Sequence, residues 1–479
     1  MSHTELSRGA FGFRAACRPC ATVPATILAA VCAALPGCRT HTPAPLALDA
    51  TEREFLVRSV DGPALAEYSA RLAQHAPAAG AFDPTDGLSL AEAEAVALCM
   101  NRELRAARLA AGVTRATADN AGLWRDPTLG VDLSRVVGGV TGGGASSVEA
   151  MFSLGFTLPL SGRLEAERAR ADAAHRAELA RVAAEEWRVL ADLRRAWVAR
   201  VALVAEADAA RDVLVRVAQV VAVVERMEAA GEIARIEARL LKIEDAKLRA
   251  ELRALDAEVA RSTHDIESLL GLPPRADRRL AADFAAFSPI GRGVHALLAS
   301  RVAERSPALA LARARHDVAE ARLAEEIRTT WPDLELAPGF GEDNGDRQAV
   351  LGVGVTLPVL DGNRRGIAEA EANRALARGE AEAVYERLLG DLLAAEERLS
   401  AAIARGELLE TTLVPLVDTQ YAEAREVARL GEVNTLILLE SLKQQLDAKR
   451  QLIAARRDEA LAAIDIAEIT GPATDGDEP

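Results

Sequence analysis

Two kinds of hydrophobic period alternate along the chain. In "TLGVDLSRV" (128–136), Leu129, Val131 and Leu133 alternate with Gly130, Asp132 and Ser134. That two-residue period belongs to a strand with one apolar face. In "VEAMFSLGFTL" (148–158), Val148, Ala150, Phe152, Leu154, Phe156 and Leu158 share one face, and Ser153, Gly155 and Thr157 the other. Between them "GGVTGGGASS" (138–147) reads as a surface loop, since it lacks the Lys–Ser/Thr ending of a phosphate loop. Together these stretches predict a β-hairpin over 127–160. A second hairpin is predicted over 332–360. There Leu334, Leu336 and Phe340 oppose Asp333, Glu335 and Ala337, "EDNGDRQ" forms the loop, and Leu351, Val353, Val355 and Leu357 oppose Gly352, Gly354 and Thr356.

Elsewhere the period changes to steps of three and four. Residues 160–272 contain no proline and only three glycines, Gly162, Gly231 and Gly271. A turn at Gly231 leaves helices of roughly 65 and 38 residues, the first about 100 Å long. Leu190, Leu193, Trp197, Val201 and Val204 form the stripe of the first, and Leu248, Leu252, Leu255, Val259, Ile266 and Leu270 that of the second. Such stripes are coiled-coil-like seams, and Trp187 and Trp197 read as part of them. A short helical pattern occupies 51–76. Ser89 and Glu92 form a capping-box pair at the start of a helix predicted to run to about Leu123.

The pattern occurs twice. "NRELRAAR" (101–108) matches "SPALALAR" (306–313), Pro127 matches Pro332, Pro159 matches Pro358, and Gly231–Glu232 matches Gly431–Glu432. The offset stays between 199 and 205 residues. One unit of about 200 residues is therefore duplicated, over 88–287 and 288–471, with long helices over 161–271 and 363–470. Each hairpin meets its long helix abruptly, in "GFTLPLSGR" and "GVTLPVLDGNR". Pro159 and Pro358 end strand pairing because proline has no N–H to donate. Gly162 and Gly362 permit the bend, and the second junction carries one extra residue, Asp361.

The apolar strand faces need a partner, yet the neighbouring helices spend their stripes on each other. A transmembrane barrel resolves this: apolar residues outward to lipid, polar residues inward to water, in strands of about 9–11 residues. Open sheet edges are not tolerated in lipid, and barrels of this kind have at least about eight strands. One chain offers four, so the barrel must be shared between chains.

Composition agrees. The formal net charge is −15, and basic residues are interleaved with acidic ones, which argues against nucleic acid as a partner. Residues 1–37 read as a lipoprotein signal peptide: Arg14 and Arg18, then the apolar "ATVPATILAAVCAAL", then "LPGC". The motif resembles a bacterial lipobox with Pro36 in place of a small residue, and Cys38 would carry the lipid. Residues 38–87 would form a lipidated linker and short helix, and 472–479 an acidic tail. Only Cys99 would then remain, so no intrachain disulfide is expected. No nucleophile–base set or metal-ligand spacing is present, His175, His264, His295 and His316 are isolated, and no enzyme or cofactor is expected.

The duplicated helix–hairpin–long-helix plan resembles the TolC-like outer-membrane efflux family, as do "NRELRAARLAA", "DPTLGVDLS", "TLPLSGR", "LLGLPP" and "ARLGEVNTLILLESL". The resemblance covers residues 88–471. It implies a mainly α protein with a transmembrane β-barrel: a homotrimer with a shared twelve-stranded barrel above a long α-helical coiled-coil tunnel. Shorter helices would stack end to end beside each long one, and residues 272–300 with the chain ends would form a belt. It implies an outer-membrane channel in a tripartite efflux system, lipid-anchored and extending into the periplasm. Its partners would be a periplasmic adaptor and an inner-membrane transporter of RND or ABC type. Gly231 and Gly431 would turn at the periplasmic tip. The family gate often has two acidic residues three apart; here Ile437 and Glu440 stand at those places, and Glu237 of the first repeat aligns with Ile437. Part of the sequence looks like the heavy-metal cation-efflux branch. Two alternatives stay open: a type I protein secretion channel, and a structural coiled-coil lipoprotein. The latter would explain the seams but not the paired hairpins.

Overall fold

The computed structural model describes residues 41–60, 62, 65, 67, 82, 87–135, 148–274, 279–281, 295–343, 346–429 and 435–472. The chain divides into two units, residues 1–54 and 55–479. The described part of the first has no regular secondary structure over 41–47 and then enters helix α1, Leu48–Leu56.

The second unit is built twice on one plan. The first repeat runs α2 (Leu90–Met100), α3 (Arg102–Asp119), β1 (Thr128–Arg135), β2 (Val148–Leu158), α4 (Arg163–Ala230) and α5 (Arg235–Leu270). The second runs α6 (His295–Arg305), α7 (Pro307–Arg328), β3 (Leu334–Asp343), β4 (Asp346–Val355), α8 (Arg364–Leu408), a π-helical turn (Leu409–Leu413), α9 (Val414–Arg429) and α10 (Thr435–Thr470). The long and returning helices of the first repeat measure 68 and 36 residues.

One expected helix is broken. The pattern from Ser89 to Leu123 gives two helices, because Asn101 leaves helical geometry (φ −57°, ψ 132°). Its side chain accepts from the N–H groups of Glu103 (2.8 Å) and Leu104 (3.1 Å), and its amide donates to the Leu269 carbonyl at 2.7 Å. A short polar side chain that satisfies orphan N–H groups makes a cap of what would be a helix interior. In the second repeat Ser306 and Pro307 break the helix at the matching place. The capping box itself forms, with Ser89 N–H donating to Glu92 Oε2 at 2.9 Å.

Ion pairs fix how the helices align. Beside the half of α4 nearer the sheet lies α3, through Arg108–Glu186 at 2.6 Å, and beside the distal half lies α5, through Lys242–Glu225 at 3.2 Å. The two short helices thus line one long helix in succession. On its other side α4 meets α7 (Arg170–Glu325, 2.5 Å) and α10 (Arg195–Asp465, 2.8 Å). The lateral order is therefore α3–α4–α7–α8 near the sheet and α5–α4–α10–α9 away from it. The core is duplicated too. Leu104, Val189, Leu193 and Ile266 form one cluster, and their counterparts Leu309, Leu388, Leu392 and Ile466 another. Trp197 is 1% exposed in the first cluster, and Trp187 donates to the Ala467 and Glu468 carbonyls, each at 3.2 Å.

Candidate functional site

The four strands form a single antiparallel sheet in the order β1-β2-β3-β4. The two hairpins join at the β2–β3 seam, where Leu158 pairs with Leu334, Phe156 with Leu336 and Phe152 with Phe340. β1 and β4 are left as open edges. The register carries the alternation across all four strands. Leu129, Leu154, Phe156, Leu336, Leu351 and Val353 lie on one face, with Asp132, Ser153, Thr157 and Glu335 on the other. Phe340 (57%) and Leu351 (65%) are strongly exposed on the apolar face. A contiguous apolar surface of this kind marks a membrane or partner contact.

The opposite face is built for close approach. Gly130, Gly155, Gly339, Gly341, Gly352 and Gly354 all fall on it. A Cβ at Gly130 would lie 2.5 Å from Ser153 Oγ, and one at Gly341 2.6 Å from the Ala150 carbonyl oxygen. Small residues there let the sheet curl toward that side. The β2–β3 ladder skips Ala337 and Pro338 without a shift of register. Pro338 has no N–H to give, and the alternation in the sequence runs over it without a signal.

The strand-to-helix junctions differ in detail. Pro159 follows the last residue of β2, Gly162 takes φ 69°, and α4 begins at Arg163. β4 ends at Val355, so Leu357 lies beyond the strand rather than in it, as does Pro358. Gly362 (φ 55°) and Asn363 (φ 52°) then turn the chain into α8. The Asn363 amide donates to the Glu326 carbonyl (3.0 Å), Glu326 Oε2 (2.8 Å) and Thr329 Oγ1 (2.7 Å). An ion pair of 3.1 Å joins Arg163 at the first junction to Asp333 at the start of the second hairpin. Neither the role of Asn363 nor this pair was readable from the sequence, because each depends on which loops lie side by side.

At the far end of the helices, Gly231 (φ 77°) caps α4, and Glu232 N–H bonds the Met227 carbonyl at 2.9 Å. This is the left-handed glycine cap that ends a helix sharply. Gly431, Cys38 and the loop 138–147 lie outside the described residues. On α10, Glu440 and Ile437 are exposed, while Glu237 on α5 is half-buried. Glu244–Lys443 (3.0 Å) and Glu251–Arg450 (2.5 Å) hold α5 and α10 level. Continuing that register sets Glu237 level with Leu436, about one helical turn from Glu440. The hydrogen bond from Lys443, followed by that from Lys247, holds the Glu244 carboxyl below the usual carboxylate range. Burial instead pushes Glu325 up, against the pull of Arg170.

A polar knot missed by sequence reasoning lies between α4, α9 and α10. Arg216 donates to Gln445 at 2.6 Å, Gln445 donates to Asp418, and Arg216 sits 5.4 Å over the Tyr421 ring. Among the described residues no group of His, Cys, Asp and Glu side chains could hold a metal ion. No described helix is long and apolar enough to cross a membrane.

No family model matches the chain. The chain is 27% identical over 235 residues to the cobalt-zinc-cadmium resistance protein CzcC of Cupriavidus metallidurans, a match covering 48% of this chain and 53% of that protein. The chain thus spans about half the length of this curated relative. Among solved structures, CusC superposes with a TM-score of 0.67 at 16% identity, covering 80% of this chain and 92% of that one. The outer-membrane channel OprN superposes with a TM-score of 0.66 at 20% identity, covering 91% and 98%. The chain has the TolC-like fold of these channels, mainly helical with a small antiparallel sheet of four strands.

Proposed function

We propose that three copies of this chain form an outer-membrane channel that exports substrate from the periplasm, with an adaptor and an energised inner-membrane pump as partners. The observation that carries this is the sheet: one face apolar and exposed, the other small and polar, both edges unpaired. In lipid each edge must find a strand, and β1 of one copy pairing with β4 of the next closes a ring. The lateral helix order supports the same closure, since α3 and α5 lie on one flank and α8 and α9 on the other. The helices below would form a tunnel about 100 Å long. Cys38 would anchor each chain by lipid.

Such a channel performs no reaction, and its selectivity lies in the charges along its path. Asp132 and Glu335, on the polar face of the sheet, would point inward, and Glu440 and Glu237 would stand near the tip. Rings of carboxylates favour cations. The likeness to CzcC supports divalent metal cations as cargo. Extraction from outer membranes should give a trimer that survives mild detergent and dissociates on heating; a soluble monomer overturns the proposal. In planar bilayers Glu440→Gln should lower the preference for cations over anions; unchanged selectivity removes Glu440 from the gate.

A further inference from the structure

The two helix breaks share one backbone but not one set of hydrogen bonds. Asn101 (φ −57°, ψ 132°) and Ser306 (φ −59°, ψ 119°) leave helical geometry in the same way. Each break lies against the end of a returning helix, and the two contacts are almost equally close. A Cβ at Gly271 would come 2.2 Å from the Met100 carbonyl oxygen, and one at Gly471 2.4 Å from the Arg305 carbonyl oxygen. Both glycines take the left-handed conformation, at φ 71° and 82°. The surroundings of Asn101 thus recur around Ser306, with Leu309 in the place of Leu104 and Ile469 in the place of Leu269.

The side chains at the two breaks differ. The Asn101 carboxamide bridges helix start and helix end, accepting from the Leu104 N–H and donating to the Leu269 carbonyl. Ser306 makes no side-chain cap, is 2% exposed, and its Oγ is buried without a hydrogen-bond partner. Leu309, whose N–H stands where that of Leu104 does, is buried as well. A hydroxyl is too short to touch both the N–H and the carbonyl that a carboxamide spans. An unpaired buried hydroxyl beside an uncapped N–H is costly, and protein interiors meet such groups with ordered water. The partners define the ligand. An anion would be repelled by the carbonyl and a cation by the N–H, whereas water can accept from one and donate to the other. A carboxamide exceeds a hydroxyl by about the size of one water molecule.

We propose that a single buried water molecule completes the break in the second repeat. It accepts from the Leu309 N–H, donates to the Ile469 carbonyl, and has the Ser306 hydroxyl as its third partner. It takes there the role that the Asn101 carboxamide has in the first repeat, so one break is a dry joint and the other a hydrated one. The site lies within one chain and does not depend on how copies assemble.

The test is a crystal structure of the full-length, detergent-solubilised protein at a resolution that shows ordered water. Density should appear within hydrogen-bond reach of Ser306 Oγ, the Leu309 N–H and the Ile469 carbonyl. In Ser306→Asn the new carboxamide should occupy that density and make both bonds itself. Its thermal unfolding should rise by about 1–2 °C, because the immobilised water is released. The reciprocal Asn101→Ser should admit a water at the first break. A wild-type hydroxyl turned back to the Val302 carbonyl, with no density beside Leu309, overturns the site. So does a Ser306→Asn variant whose carboxamide points into solvent, or whose unfolding midpoint falls, since the space could then not hold what Asn101 holds. If Ser306→Asn does not fold, the wild-type density and Asn101→Ser decide.

Discussion

The two repeats share a plan but not their details, and the differences fall where the shared plan leaves room. Lengths are conserved: α2 and α6 have 11 residues each, and α5 and α10 have 36 each. Core positions are conserved too, as in Leu193 and Leu392. Connections are not. α4 runs unbroken for 68 residues, whereas its counterpart contains the π-helical turn Leu409–Leu413, where Val414 N–H reaches back five residues to Leu409. Pro415 follows directly, and a proline ring inside a regular helix would strike the preceding turn. The widened turn absorbs it. The junctions diverge similarly. In the first repeat Arg168 donates to the Ala121 and Gly122 carbonyls and ties the end of α3 to α4. In the second the Asn363 amide ties the end of α7 to α8. Span and level are fixed by what both repeats must cross together; the means of turning are local.

The sheet is where the repeats should be hardest to tell apart. Phe152 and Phe340 face each other across the seam, so Phe152→Arg and Phe340→Arg should each cost about 2–4 kcal/mol near the middle of a bilayer. Both should lose most of the folded protein from outer-membrane extracts, and by similar amounts. Asp132→Arg, on the opposite face, should retain it. If only one of the two Phe variants fails, the seam is not a shared lipid face.

The junctions should separate the repeats by about 1–2 kcal/mol. Asn363→Gly keeps the left-handed backbone and loses three hydrogen bonds, whereas Asn363→Ala loses the bonds and adds about 1 kcal/mol of backbone strain. Thermal unfolding of the detergent-solubilised protein should therefore rank wild type above the Gly variant, and Gly above Ala. Arg168→Ala loses two bonds to carbonyls without strain and should match the Gly variant. An Ala variant of Asn363 as stable as the Gly variant would mean that its φ is not a constraint.

What the sequence made legible was whatever repeats with a period. The faces of Phe152 and Leu351, the stripe through Leu193 and Trp197, and the turn at Gly231 all follow from spacing alone. The break at Asn101 was lost because the apolar pattern continues through it, and only contact with Leu269, distant in sequence, shows why the helix stops. Pro338 was passed over because the period on either side is intact. At the candidate site, the glycines and prolines of the junctions were visible as residue types, but the partners of Arg163 and Asn363 were not. Those partners come from the other hairpin or the neighbouring helix, and no local pattern encodes them.

The smallest expected effect lies where the repeats meet below the sheet. The first repeat supplies the acids, Glu244 and Glu251, and the second the bases, Lys443 and Arg450. Lys443 is half-exposed, so the Glu244 bridge should contribute about 0.5–1 kcal/mol. Its pH dependence identifies it. The folded protein holds the Glu244 carboxyl below its unfolded value, chiefly through the hydrogen bond from Lys443, so the folded state binds the proton less readily. The stabilisation is then fully present above the ordinary carboxylate value, near ~4.3, and is lost as pH falls through the lowered folded value. Urea unfolding of wild type and Glu244→Gln should differ at neutral pH, and the difference should shrink only below about pH 4.5. Arg450→Gln breaks the second bridge without touching Glu244, so it should leave that pH window in place. A difference that persists unchanged into acid would mean that Glu244 serves by packing alone, and that the ionic tie between the repeats rests on Glu251 and Arg450.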